Sequence, residues 1–195
     1  MAQKHTHLIS FGLIVLVFSI VNSTLVIPVT GEQYAPASEI MENKGLKLHL
    51  ENGVELLIAG QPGGSIGYVS DLPGVVTSFQ QAEKLGSTGL MAHNYLSGEE
   101  FFGLEIGDRI LMSDERTDEI IAYQVIDVEQ YQALQPTSIH SKFQNLESDE
   151  IVSAHQLSQA IYGQAGHLIL QTCIEKEGDQ EWGRLFIVAE PVSNL

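Results

Sequence analysis

Residues 167–190 read HLILQTCIEKEGDQEWGRLFIVAE, and this stretch decides the fold. Its two ends, HLILQTC (167–173) and RLFIVAE (184–190), are of strand length and rich in Leu, Ile, Val and Phe, side chains that suit a pleated, buried surface. The ten residues 174–183 separate them, with a turn signal at Glu177-Gly178-Asp179. Paired as an antiparallel hairpin, the runs place Cys173 at the end of one strand and Arg184 at the start of the next. The two side chains then face each other across the ladder at one mouth of the fold. A guanidinium beside a thiol favours the thiolate, which is the nucleophilic form, and it is equally able to donate to a developing oxyanion.

The same pattern continues upstream. VELLIAG (54–60), RILMS (109–113) and IIAYQVIDV (120–128) are short apolar runs, divided by Gln61-Pro62-Gly63-Gly64, Gly107-Asp108 and Asp114-Glu115. Two segments read as helices, 78–85 and 149–162. The second has Ser148 as N-cap, Glu150 in its first turn, and Ile151, Ala154, Leu157 and Ile161 at helical spacing. Many short strands with few helices predict a mainly β domain, a small closed or nearly closed barrel; periodicity alone equally admits a sandwich.

The formal net charge is −16, from 25 acidic and 9 basic residues. No basic face is available for phosphates, which excludes a nucleic-acid partner, and electrostatic docking on anionic lipid is disfavoured too. Residues 8–29, LISFGLIVLVFSIVNSTLVIPV, carry no charged side chain, and at 1.5 Å per residue they are long enough for a bilayer core of about 30 Å. Lys4 precedes them and acidic residues dominate the chain beyond Val29, so the positive-inside rule places the domain outside the cell. The expected organisation is an N-terminal transmembrane anchor at 1–29, a polar linker at 30–49 and a catalytic domain at 50–195. A cleaved signal peptide, with an apolar region at 8–21, is the competing reading.

Cys173 is the single cysteine, so the chain makes no internal disulfide. Its thiol is free for chemistry, paired with another chain, or simply a small buried apolar group. Nucleophilic use needs a proton carrier, and the candidates are His93, His140, His155 and His167. His167 lies six residues before Cys173 on one extended strand, about 20 Å away. His155 falls within the expected helix. His93 stands where the run GLMAH gives way to a loop, the position at which a barrel presents a side chain at its rim.

Four motifs occur in order: Ala92-His93-Asn94, Gly107-Asp108-Arg109-Ile110, Leu170-Gln171-Thr172-Cys173 and Arg184-Leu185-Phe186. In order, spacing and strand context they resemble those of the sortases, the cysteine transpeptidases of bacterial cell surfaces, over about residues 50–191. The likeness is to unclassified sortase-domain proteins. It implies a closed barrel of about eight strands with one or two short helices behind an N-terminal span. It also implies catalytic roles for Cys173 as nucleophile, His93 as general acid and base, and Arg184 as oxyanion partner. The implied substrates are a surface protein carrying a sorting motif and an amine acceptor on the cell wall or on another protein, with no cofactor and no metal. Two rivals stand beside this reading: a cysteine hydrolase on the same scaffold, and a non-catalytic surface barrel that binds a peptide or polymer.

Overall fold

The computed structural model describes residues 45–193, except 64, 66 and 139. The expected membrane span at 8–29 lies outside the described residues. No helix among the described residues is long and apolar enough to cross a membrane.

Among the described residues there are ten strands: β1 (Leu46–His49), β2 (Glu55–Ala59), β3 (Val75–Ser78), β4 (Thr88–Met91), β5 (Arg109–Asp114), β6 (Glu119–Ala133), β7 (Lys142–Asn145), β8 (Ile151–Ser153), β9 (Leu168–Lys176) and β10 (Asp179–Pro191). Among these residues two α-helices accompany them, α1 (Gln80–Leu85) and α2 (Ala154–Tyr162), and a 3-10 helix spans Ser97–Gly103. Eight strands run in the order β10-β9-β4-β3-β2-β1-β5-β6, and β6 pairs back onto β10, which closes the barrel. Strands β7 and β8 extend the sheet beyond β6. β1 therefore lies within the stretch read as linker, between β2 and β5. The pairs β2–β3 and β4–β9 are parallel and the others antiparallel.

Alternation sorts the strand residues into two apolar clusters. Leu48, Leu56, Ile58, Val76, Leu90, Ile110, Tyr123, Val125, Leu168, Leu170, Leu185 and Ile187 fill the barrel, and Phe101 joins them from the 3-10 helix. On the outer wall Ile169, Phe186 and Val188 meet Tyr131, Ala82 of α1, and Leu157, Ile161 and Tyr162 of α2. Covering both faces of β9 and β10 explains why these strands read as continuous apolar runs. Each such side chain taken fully out of water contributes about 1.5–3 kcal/mol.

Three expectations are corrected. First, α2 starts at Ala154, not at residue 149, and its N-cap is Ser153, whose capping box with Gln156 satisfies the first turn. Residues 151–153 are strand β8, because the Asn145 side chain accepts from the backbone of Glu147 and Ser148, building a hairpin turn where the helix was expected. Second, Ser78 belongs to β3, and α1 begins two residues later. Third, β9 and β10 continue past Cys173 and Arg184 to a two-residue turn, Glu177-Gly178, in which both residues have positive φ (56° and 86°). The residues 180–182 then bulge opposite Glu175, which is why the 174–183 stretch looks like a loop in the sequence.

Candidate active site

Cys173 pairs directly with Arg184 in the β9–β10 ladder, a separation of about 4.5–5.5 Å between Cα atoms. On the other side of β9, β4 runs parallel, with Met91 opposite Gln171. The pairing continues one residue further: the Ala92 amide donates to the Gln171 carbonyl at 3.2 Å, and the buried Thr172 hydroxyl donates to the Ala92 carbonyl at 2.9 Å. Two residues beyond Met91 and Gln171 come His93 and Cys173, on chains spaced about 4.8 Å apart. Since Leu90, Ala92, Leu170 and Leu185 point into the barrel, alternation turns His93, Cys173 and Arg184 to the same outer wall. Apolar side chains fill the lumen, so the three residues stand on the wall beside the end of β4.

After His93 the chain turns sharply. The amides of Leu96 and Gly98 both donate to the His93 carbonyl at 3.0 Å. Gly98 packs so closely that a Cβ there would lie 2.7 Å from the His93 carbonyl oxygen and would overlap the Thr172 hydroxyl. The imidazole stacks on Tyr95, centroids 5.1 Å apart and planes 20° apart, and its Nε2 lies 3.3 Å from an Asp71 carboxylate oxygen.

Arg184 is held by its own strand. Nη1 donates to the carbonyls of Glu181 (2.9 Å) and Gly183 (2.8 Å), so the bulge opposite Glu175 orients the guanidinium. Burial pushes the Cys173 thiol above its ordinary range; the Arg184 charge opposes this, and the Glu181 and Asp179 carboxylates reinforce it. The expected thiolate-favouring effect of Arg184 is therefore present but outweighed by burial. Two residues before Cys173 on the same face, the Gln171 side chain accepts from the buried Tyr162 hydroxyl. Beside the site, Asn94, Tyr95, Glu99, Phe102, Ile174 and Glu175 line a cleft of about 420 Å³.

The other described histidines lie elsewhere. His167 sits at the opposite end of β9 with Nδ1 3.2 Å from the Ala165 carbonyl, His155 is exposed on α2, His140 is in an exposed turn, and His49 on β1 contacts Ser113 at 2.9 Å. The Gly107-Asp108 pair is a turn: Gly107 has a φ of 103°, and the Asp108 carboxylate accepts from the Glu105 amide. Among the described residues no cluster of three or more His, Cys, Asp or Glu is placed to hold a metal ion.

Comparison with solved structures matches this barrel to sortase C1 of Streptococcus agalactiae in complex with MTSET, with a TM-score of 0.50 and 18% identity over 84% of this chain and 74% of that one. The chain has the sortase fold. Sortase A of Listeria monocytogenes aligns with a TM-score of 0.46 and 14% identity, over 76% of this chain and 86% of its own. Sortase C of Clostridium perfringens aligns with the same TM-score and identity, over 76% of this chain and 69% of its own. No family model matches the sequence, and no curated protein matches it either. At these identities the sortase fold is what the comparison establishes, and the chemistry rests on the residues of this chain.

Sequence reasoning singled out Cys173 and Arg184, which the structure pairs across β9 and β10, and His93, which it places just past the end of β4. It missed Asp71 and Tyr95, which meet His93 from a distant loop and from the turn after it. Nothing in the Ser70-Asp71-Leu72-Pro73 stretch points to a histidine. Gly98 carried a faint signal, a glycine soon after the histidine.

Proposed function

We propose that this chain is a membrane-anchored, surface-exposed cysteine transpeptidase that cleaves a sorting motif in a surface protein and transfers it to an amine acceptor. The observation that carries the reading is the ladder register: Cys173 opposite Arg184, with His93 one strand away on the same wall. As the thiol attacks a backbone carbonyl, its proton passes to His93 and a C–S bond forms. The negative carbonyl oxygen of the tetrahedral adduct meets the Arg184 guanidinium. Among the described residues, only its Nη1 is engaged, by Glu181 and Gly183. His93 then returns the proton to the departing amine as the C–N bond breaks, leaving a thioester. A second amine attacks the thioester and gives its proton to His93; the C–S bond breaks, and His93 returns that proton to the departing sulfur. The carboxylates of Glu99 and Glu175 in the adjoining cleft favour a cationic acceptor entering there, which supports transfer over hydrolysis.

The test incubates the full-length chain in detergent with a library of sorting peptides and an amine acceptor, followed by mass spectrometry. Cys173→Ala is expected to form no thioester and no product. Arg184→Lys keeps the charge but loses the planar fork, and a rate lower by about 10²- to 10³-fold is expected. Turnover in Cys173→Ala would sink the reading. The same membrane-extracted protein is expected to retain its N-terminus; sequencing that begins near residue 24 or 38 would instead identify residues 8–29 as a cleaved signal.

A further inference from the structure

The stretch between β2 and β3 is a crossover that a parallel pair requires, and it is tied down from within. At its start, the Gln61 side chain donates to the Tyr68 carbonyl at 3.2 Å. Gln80 binds Gln61 twice, its amide to Oε1 at 3.2 Å and its Nε2 to the carbonyl at 2.8 Å. Near its end, the amide of buried Ser70 donates to the hydroxyl of buried Thr77 at 2.8 Å, and the Ser70 hydroxyl accepts from the Leu72 amide at 3.2 Å. Asp71 lies between these two bonds, and its carboxylate is carried to 3.3 Å from Nε2 of His93. Exposed ion pairs are usually weak because two free side chains must be ordered. Here the backbone on both sides of Asp71 is already hydrogen-bonded, at Ser70 and at Leu72, and the imidazole is already stacked on Tyr95.

We propose that Asp71 is a positioning residue for His93. Its carboxylate keeps the proton of the neutral imidazole on Nε2, leaving Nδ1 as the nitrogen that takes and returns the proton. A carboxylate against one ring nitrogen selects the tautomer and the ring orientation, so the other nitrogen is presented as the base. The proposal rests on the acyl-transfer reading for its role, while the tautomer itself is independent of turnover. Asp71 touches no reacting atom and exchanges no proton with substrate.

The experiment uses the full-length chain in detergent, labelled with 15N-histidine, with His93 assigned by loss of its signals in His93→Gln. Wild type is expected to show neutral His93 protonated on Nε2, and Asp71→Ala a mixture of both tautomers. For a peptide that the wild type turns over, kcat in Asp71→Ala is expected to fall about ten- to a hundredfold. KM should stay within about twofold, since ground-state binding is untouched. Asp71→Glu should recover part of the rate and the Nε2 tautomer. An unchanged tautomer in Asp71→Ala, or a rate that holds or rises, overturns the positioning role alone. A wild-type chain that transfers nothing in a Cys173-dependent way overturns the acyl-transfer reading, and this role with it.

Discussion

Cys173 sits where desolvation and an acidic bulge oppose one guanidinium, and the balance has a measurable sign. Its thiol is held above the ordinary cysteine range in the folded chain. The folded state thus favours the neutral form. The resulting stability is complete below the unfolded-state thiol pKa and is lost as pH rises through the raised folded value. Alkylation of the full-length chain followed against pH should have its midpoint above that of a free cysteine. Glu181→Gln should lower the midpoint, and Arg184→Gln should raise it; a wild-type midpoint at or below that of free cysteine would refute the account. The pairing of Cys173 with Arg184 was readable from two apolar runs and a turn signal. The sign of the thiol shift was not, because it depends on burial and on where Asp179 and Glu181 fall. Residues 174–183 look like a loop, whereas in the structure they are two strand ends and a bulge.

The turn after β4 couples two elements that are far apart in sequence. Gly98 fits against the Ala92 and His93 carbonyls and the Thr172 hydroxyl. Gly98→Ala should therefore force the His93 turn off the end of β9. The expected cost is about 1–3 kcal/mol, as for overpacking elsewhere. Thermal unfolding would register it as a lower Tm. Turnover should fall as well, because His93 moves. A Tm and rate equal to wild type would show that the turn yields freely. At this scale the sequence located β2, β5, β6, β9 and β10, since apolar runs between glycines survive any arrangement of their neighbours. It misplaced the start of α2 because Ile151 and Ala154 fit helical spacing, while the Asn145 side chain and the β-branched Ile151-Val152 pair favour an extended hairpin. Local periodicity cannot register a cap that acts from outside its window.

Closure of the whole barrel depends on a strand that resembled linker. β1 carries one fully buried leucine, Leu48, and bonds to β2 on one side and β5 on the other. A chain starting at Gly45 should melt cooperatively at a temperature close to that of full length. A chain starting at Leu50 loses β1, exposes two unpaired edges, and should bind a hydrophobic dye and aggregate. Equal melting of the two would mean that β1 is dispensable. The eight-strand order itself was beyond the sequence, which registers strands but not partners. That order also sets a timetable for the nascent chain. β4 must wait for β9, whose paired residues come some eighty positions later, and β6 must wait for β10, the last of the described strands in chain order. Such distant pairings close slowly. The thiol therefore joins the imidazole, and the guanidinium joins both, in the same late event that seals the barrel. A chain halted earlier in synthesis carries the three side chains unassembled, so the site forms only as folding is completed.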